Sequence, residues 1–217
     1  MVTLGTEMVV YAQRDARFRA TVNACALSLC DTVGLLAVAR WRGAPLRGRV
    51  TGVELVDRLC AGAASAGLPV FLLGGAPGVA PAAATVLKAR FPGLIIAGAR
   101  DGYFPEDESA GVAAAIAESG ARLLFVGMGS PRQEYWLAQH LRQTGCGVGI
   151  GVGGSFDVIA GRVRRAPAPL RRLGLEWLYR LVTEPRRWRR QLALPRFVWL
   201  VALDGLGVRA HKSGAGS

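Results

Sequence analysis

The sequence has few cysteines, and none has the spacing of a metal site or a disulfide framework. The four are Cys25, Cys30, Cys60 and Cys146, and three of them lie within apolar stretches. A structural zinc site needs paired cysteines such as C-x-x-C, so we expect no bound metal and no disulfide. Small thiols in apolar surroundings are typical of buried positions in a reducing compartment.

Long apolar runs are also absent. The longest one near the C-terminus covers residues 197–208 and contains Asp204, whereas a helical membrane span needs about 20 residues. The N-terminus lacks the basic stretch and apolar run that mark a secretory signal peptide. We therefore expect a cytoplasmic protein, which is compatible with a peripheral position on the membrane.

The positive charge is concentrated in one part of the chain. The formal net charge is +12; residues 162–217 carry 13 Lys and Arg against three acidic residues, and residues 1–161 carry 14 against 12. A positive field confined to one segment indicates an anionic partner for that segment. A phosphate-bearing ligand, an acidic lipid surface or a nucleic acid would each fit.

Residues 1–161 alternate between short apolar runs and longer segments with helical spacing. The runs predict strands at 26–30, 69–73, 94–97, 123–126 and 147–152. The segments between them predict helices at 51–66, 77–91, 105–119 and 131–142. Uniformly apolar strands separated by such helices indicate the α/β class, a Rossmann-like parallel sheet with helices on both faces.

The character of the sequence changes after Gly161. Three proline-introduced stretches with helical spacing follow, rich in Arg and Trp, around 169–182, 185–193 and 195–206. We expect an α/β catalytic core over 1–161, a basic helical appendage over 162–210 and a flexible tail over 211–217. Interleaved Arg and Trp favour an amphipathic helix on an anionic membrane, although a solvated face or nucleic-acid binding also fits.

A glycine-rich segment, GMGSPRQE at 127–134, follows one predicted strand and opens a helix. Ligands bind at the carboxyl ends of parallel strands, and the amides of a helix N-terminus there can bind phosphate. Arg132 and Gln133 would add a charge and an amide able to contact a base, ribose or phosphate. A plain strand–turn–helix connection explains the same pattern.

A second glycine-rich segment, GIGVGGSFD at 149–157, formally contains G-x-G-x-x-G. NAD binding would need an acidic residue at the end of a following strand about 20 positions on. The sequence offers arginines instead, including Arg162 and Arg165. This combination favours a diphosphate over a nicotinamide cofactor.

Asp31 directly follows the predicted strand at 26–30. A carboxylate at the carboxyl end of a strand is placed to act as a general base if the cleft opens there. An N-cap of the next helix would place an aspartate at the same position, and both interpretations stay open.

Six segments together resemble the WecG/TagA/CpsF glycosyltransferases, in the family's order and spacing. They are RVTGVELVDRL (49–59), VFLLGGAPGVA (70–80), RDGYF (100–104), LLFVGMGSPRQEYW (123–136), GVGGSFDVIAGRVRRAP (151–167) and LEWLYRLVTEPRRWRRQLALPRF (175–197). The resemblance implies inverting transfer of an N-acetylmannosamine-type sugar from a UDP donor to a polyprenyl diphosphate-linked GlcNAc. It also implies catalysis without metal or further cofactor, at the inner face of the cell membrane, in synthesis of teichoic acid, other cell-wall polymers or surface polysaccharides.

The resemblance assigns roles to individual residues. Asp31 matches the proposed general base, Thr3 a pocket threonine, and Gln133 the glutamine of the donor-site motif. Arginines of the appendage would fold over the site and neutralise the diphosphate. With the candidates from the two glycine-rich segments, the predicted substrate-binding set is Gly129, Arg132, Gln133, Gly151, Gly153, Gly154, Asp157, Arg165, Arg180, Arg187 and Arg190.

Two departures from the family pattern keep other functions open. The family usually shows TPN and PDG where this chain has TLG at 3–5 and CDT at 30–32, and its members carry a further strand and helix before the threonine. A truncated start or a degenerate, inactive scaffold copy would explain these departures. The remaining alternative is a non-catalytic nucleotide- or nucleic-acid-binding module, and a homo-oligomer stays open.

Overall fold

The computed structural model describes residues 1–172, 175–183 and 192–205. Within these ranges six parallel strands form one sheet in the order β2-β1-β6-β5-β3-β4. The strands are β1 (Val2–Leu4), β2 (Ser28–Cys30), β3 (Val70–Gly74), β4 (Ile96–Arg100), β5 (Leu123–Gly127) and β6 (Val148–Gly151). The helices are α1 (Thr6–Ala12), α2 (Ala16–Asn23), α3 (Val33–Trp41), α4 (Gly52–Ala66), α5 (Val79–Arg90), α6 (Ser109–Glu118), α7 (Arg132–His140), α8 (Ser155–Ile159), α9 (Ala168–Arg172), α10 (Glu176–Thr183) and α11 (Ala193–Gly205).

The predicted α/β class is confirmed, and the burial of the central strands explains why. Every residue of β3 and β5 is buried. Because successive side chains in a strand point to opposite faces, Leu72 and Phe125 join a core with α4, α5 and α8. Leu73 and Leu124 join the second core with α6 and α7 on the other face. Strands covered on both faces have no polar positions, which is the pattern that the sequence shows.

Element boundaries differ from the sequence predictions where turns intervene. The helix predicted from residue 77 begins at Val79, because its N-cap Gly78 has φ +83°, outside the helical region. The strand predicted at 94–97 is observed later in the chain, as β4 at Ile96–Arg100. The apolar run begins earlier because Leu94 is buried in the turn before the strand. The predicted helix at 105–119 is a 3₁₀ turn (Glu106–Glu108) followed by α6.

Thr51 is the N-cap of α4, the helix predicted over 51–66. The Glu54 amide donates to Thr51 Oγ1 at 3.3 Å, and the Thr51 amide donates to Glu54 Oε2 at 3.4 Å. This reciprocal capping box satisfies amides that lack partners at a helix start, and it fixes where α4 begins.

The appendage packs on the core through its last described helix. Phe197 of α11 is buried, and a Cβ added at Gly34 of α3 would lie 3.9 Å from its ring. Asp204 of the same helix forms an ion pair with Arg42. The stretch predicted at 169–182 is two short helices, α9 and α10, and the helix predicted at 185–193 lies almost entirely outside the described residues. The tail predicted at 211–217 lies outside them as well.

None of the helices in the described part of the chain has both the length and the apolar character that a membrane crossing requires.

Candidate active site

A cavity of about 580 Å³ lies at the carboxyl edge of the sheet, over the ends of β1, β2, β5 and β6. This volume is within the range of about 300–1,000 Å³ that is typical of small-molecule sites. Strand β1 lies between β2 and β6 in the sheet. The chain runs from β1 outward to β2 at one edge, whereas it enters β6 from β5, which lies on the other side of β6. Such changes of direction open a crevice at the carboxyl ends of parallel strands, where α/β proteins bind ligands.

Asp31 lines this cavity directly after β2. Its amide donates to the Leu4 carbonyl at 2.8 Å, which continues the pairing of β1 with β2 beyond Cys30. The N-cap of α3 is Thr32 and not Asp31, so the alternative interpretation of Asp31 as a helix cap is wrong. The structure therefore places Asp31 at the cavity wall, one residue before the N-cap of α3.

Thr3 also lines the cavity, from the middle of β1. It is buried, and its hydroxyl donates to the Gly151 carbonyl at 3.1 Å. Because only one residue pair joins β1 to β6 in register, this side-chain bond is a substantial part of the link between the two strands. Thr3 thus helps to join the two strands that form the base of the cavity.

The two glycine-rich segments meet at the opposite wall. Gly129, Gln133, Gly153 and Gly154 all line the cavity. The Gly153 amide donates to Gln133 Oε1 at 3.0 Å, which joins the loop after β6 to the start of α7. The structure therefore brings together Thr3, Asp31 and these four predicted donor-site residues.

Gly151 does not line the cavity, although it was predicted to bind substrate. A Cβ added there would lie 2.6 Å from Gln133 Nε2, so the absence of a side chain makes room for the glutamine. A direct contact of Gly151 with substrate stays a prediction.

Three further predicted residues lie outside the lining and have partners within the protein. Arg132 donates to the Phe104 carbonyl at 2.7 Å. The backbone carbonyl of Asp157 accepts from the amides that follow α8, at 2.8 and 3.1 Å. Arg165 donates to Thr51 Oγ1 at 3.1 Å and to Glu54 Oε1 at 2.7 Å. Their substrate-binding roles stay predictions.

The predicted appendage arginines cannot be located in the site. Arg187 and Arg190 lie outside the described residues, and of Arg180 only its place in α10 is described. Other residues of the appendage do reach the cavity, namely Leu175, Glu176, Trp177 and Leu194. The appendage therefore contributes to the site through these four residues, and the roles of Arg180, Arg187 and Arg190 stay predictions.

Arg49 was missed by the sequence reasoning. Among the side chains that the structure describes, it is the only Arg or Lys that lines the cavity. It lies 3.6 Å from Glu176 of α10, and both side chains are mostly buried. The signal was its position at the head of the RVTGVELVDRL segment, where an arginine precedes a capped helix.

Glu134 was also missed, because it looks like an ordinary acidic residue in the first turn of a helix. It is buried, and it accepts a hydrogen bond from Gln133 Nε2 at 2.7 Å. Burial raises the pKa of this carboxyl, and the hydrogen bond from Gln133 opposes that effect.

The cysteines take no part in the cavity lining. Cys30, Cys60 and Cys146 are buried, as predicted for small apolar side chains, whereas Cys25, which was also predicted to be buried, is only half-buried. Burial raises the pKa of Cys60 to about 12, so this thiol is unreactive at neutral pH. Among the described residues no three His, Cys, Asp or Glu side chains are grouped so that they could hold a metal ion.

Glycine loops, an amide and a carboxylate above the carboxyl edge of a parallel sheet define a Rossmann-like protein with a site for a nucleotide-type ligand. The model of the glycosyl transferase WecG/TagA/CpsF family matches residues 1–211, and the chain belongs to this family. It is 37% identical over 201 residues to a protein of Bacillus spizizenii, an N-acetylglucosaminyldiphosphoundecaprenol N-acetyl-beta-D-mannosaminyltransferase. The match covers 93% of this chain and 77% of that relative. The predicted family and its glycosyltransferase class are confirmed.

Proposed function

We propose that this glycosyltransferase transfers an N-acetylmannosamine-type sugar from a UDP donor to a polyprenyl diphosphate-linked GlcNAc, with inversion at the anomeric carbon. The similarity to the Bacillus spizizenii transferase supports the choice of sugar and acceptor, because it extends over most of both chains. The observation that carries the proposal is the cavity itself, which joins Asp31 on one wall to the glycine loops and Gln133 on the other.

The arrangement supports a single displacement. Asp31 takes the proton from the acceptor hydroxyl while the oxygen of that hydroxyl attacks the anomeric carbon of the donor sugar. The bond from that carbon to the diphosphate oxygen breaks at the same time. Negative charge develops on the departing diphosphate, and preorganised cations stabilise such charge in a water-poor site. Arg49 supplies one cation inside the cavity; Arg180, Arg187 and Arg190 are the proposed further ones.

The donor would lie on the side of Gln133. The loops after β5 and β6 bring Gly129, Gly153 and Gly154 to the cavity surface, where their backbone can approach a ligand closely. The start of α7 adds the favourable field of a helix N-terminus for phosphate. The acceptor hydroxyl would then lie on the side of Asp31.

We also propose that the enzyme works as a peripheral protein on the inner face of the cell membrane. Three tryptophans support this proposal: Trp41, Trp177 and Trp199 are 64%, 42% and 65% exposed. Trp177 also lines the cavity, so an apolar, membrane-facing surface would begin at the mouth of the site. Tryptophan is favoured at membrane interfaces, and the positive charge of residues 162–217 suits anionic lipid.

Vesicle co-sedimentation tests the membrane proposal. Phosphatidylcholine vesicles that also contain the anionic lipid phosphatidylglycerol should bind the protein in a salt-dependent manner. Pure phosphatidylcholine vesicles should bind it much less. Equal binding to both compositions, or to neither, would contradict the proposal.

Incubation with UDP-N-acetylmannosamine and a polyprenyl diphosphate-linked GlcNAc tests the function. UDP release should require the acceptor, and a disaccharide on the lipid should appear in equal amount. UDP binding without release would identify an inactive scaffold. Strong duplex DNA binding that falls steeply with salt, without any UDP binding, would support a nucleic-acid-binding module.

A further inference from the structure

We infer that Glu134 is a positioning residue, which fixes the amide of Gln133 in one orientation at the cavity wall. The inference rests on the proposed function in one respect only, namely that Gln133 contacts the nucleotide part of the donor. Glu134 itself does not line the cavity.

The hydrogen bonds of Gln133 set the orientation of its amide. Gln133 Nε2 donates to Glu134 Oε1 at 2.7 Å, and Gln133 Oε1 accepts from the Gly153 amide at 3.0 Å. An amide flip would turn the carbonyl oxygen toward a carboxylate and the NH₂ group toward an N–H donor. Both contacts would then be repulsive, so the pair of partners permits one orientation.

Burial and close packing keep the two side chains in place. Gln133 and Glu134 are 3% and 4% exposed. A Cβ added at Gly151 would lie 2.6 Å from Gln133 Nε2 and 3.1 Å from Glu134 Oε1. The strand backbone of β6 thus lies directly beneath the pair, and neither side chain can move down into it.

One hydrogen of Gln133 remains for a ligand. The Nε2 group carries two hydrogens, and one of them is donated to Glu134. Because Gln133 lines the cavity, the second can be donated to an acceptor oxygen of the nucleotide. Glu134 therefore determines that this position offers a donor and not an acceptor.

The favourable interaction of an acidic residue with the helix dipole does not explain why Glu134 is buried. An acidic residue in the first turn of a helix interacts well with the helix dipole even when it is exposed. Glu134 is instead desolvated, which is unfavourable for a carboxylate, and hydrogen bonds with the side chains of Gln133 and Ser130 offset only part of that effect on its pKa. A buried acid beside a ligand cavity is typical of a functional position.

Two isolated substitutions distinguish positioning from a charge effect. In Glu134→Gln the new amide oxygen still accepts from Gln133, so UDP affinity should stay within about twofold of wild type. Glu134→Asp keeps the charge but withdraws the acceptor by one methylene, and we expect UDP affinity to fall about tenfold with a smaller change in kcat. The reverse order, with Glu134→Asp near wild type and Glu134→Gln impaired, would overturn the inference.

A double-mutant cycle tests whether Glu134 acts through Gln133. In a Gln133→Ala background, Glu134→Asp should cause no further loss of UDP affinity, because its target is gone. An undiminished loss in that background would show a structural effect that is independent of Gln133, and it would overturn the inference.

A measurement without ligand separates this inference from the proposed function. Hydrogen exchange of the Gly153 amide should be faster in Glu134→Asp than in Glu134→Gln or wild type, because its acceptor Gln133 is then less fixed. Failure of wild type to bind UDP would contradict the proposed function alone. Equal exchange rates in all three proteins would contradict the positioning role, whatever the ligand is.

Discussion

The two halves of the sheet, one with β3 and β5 and the other with β1 and β2, differ in how they are held together. On one side, β3 and β5 pair over five residues, and their side chains are buried on both faces. On the other side, β1 and β2 have three residues each, β1 meets β6 through one register pair, and α3 contains no buried residue. The cavity lies mainly over this second side, and the loops after β5 and β6 form its far wall. Stability and chemistry are thus concentrated in different parts of one fold, which we call the packed side and the site side.

The largest effect should come from Asp31→Asn on the site side. Removing a general base lowers turnover by roughly 10²–10⁴-fold, and we expect about a thousandfold loss of kcat in the UDP-release assay. The free energy of unfolding should stay close to wild type, because Asp31 is only half-buried. Asp107→Asn, an exposed acid outside the cavity lining, is the matched control, and wild-type turnover in Asp31→Asn would refute the base assignment.

The reverse pattern is expected for Leu124→Ala on the packed side. Leu124 is fully buried in β5, and truncating such a leucine costs about 2–5 kcal/mol of folding free energy. Urea denaturation should show this loss, whereas the specific activity of the folded fraction should change little. A large fall in kcat without loss of stability would mean that the two sides are not separate in function.

Arg49→Ala tests the contact between the site side and the appendage. Because Arg49 is the cation identified in the cavity, kcat/KM should fall about tenfold or more. Its pair with Glu176 is long, at 3.6 Å, but mostly buried. Removing Arg49 leaves Glu176 as a desolvated carboxylate, so the free energy of unfolding should also fall, by up to about 3–5 kcal/mol. Arg100→Ala removes the exposed Arg100–Glu108 pair on the packed side and should leave kcat/KM unchanged; equal effects of the two substitutions would contradict a role for Arg49.

The smallest effect should be that of Thr51→Ala at the start of α4. Loss of an N-cap hydroxyl typically costs about 1 kcal/mol, and here it also removes a hydrogen bond from Arg165. Thr85→Ala is the control, since Thr85 is exposed within α5 and bonds only its own helix. A Thr51→Ala protein as stable as the Thr85→Ala protein would show that the capping box contributes nothing.

The packed side was predictable from sequence and much of the site side was not. PVFLL and LLFV read as strands because burial on both faces leaves no polar residue in them. The three residues of β1 are too few to show a period, and β1 was not predicted. The helices α1 to α3 were not predicted either. Thr3 came from the family resemblance alone, whereas Asp31 and Gln133 were also indicated by their positions after predicted strands. The structure brings all three to one cavity.

Glycine and arginine patterns were harder to interpret. A glycine that admits a ligand and one that admits a neighbouring side chain look alike in sequence, and Gly151 leaves room for the side chain of Gln133. Arg49 was overlooked because a single arginine in a segment of low charge density gives no composition signal. Its importance depends on the fold, which brings α10 and its Glu176 against it.

The contacts of Arg165 have a consequence for the direction in which the appendage leaves the core. Arg165 is held by Thr51 and Glu54, and the next residue, Ala166, is buried. Only Pro167 then separates this anchored point from α9, and the proline ring restricts φ to about −65°. The direction in which the chain leaves the core is therefore constrained by covalent geometry at Pro167 and by the contacts of Arg165 with the start of α4.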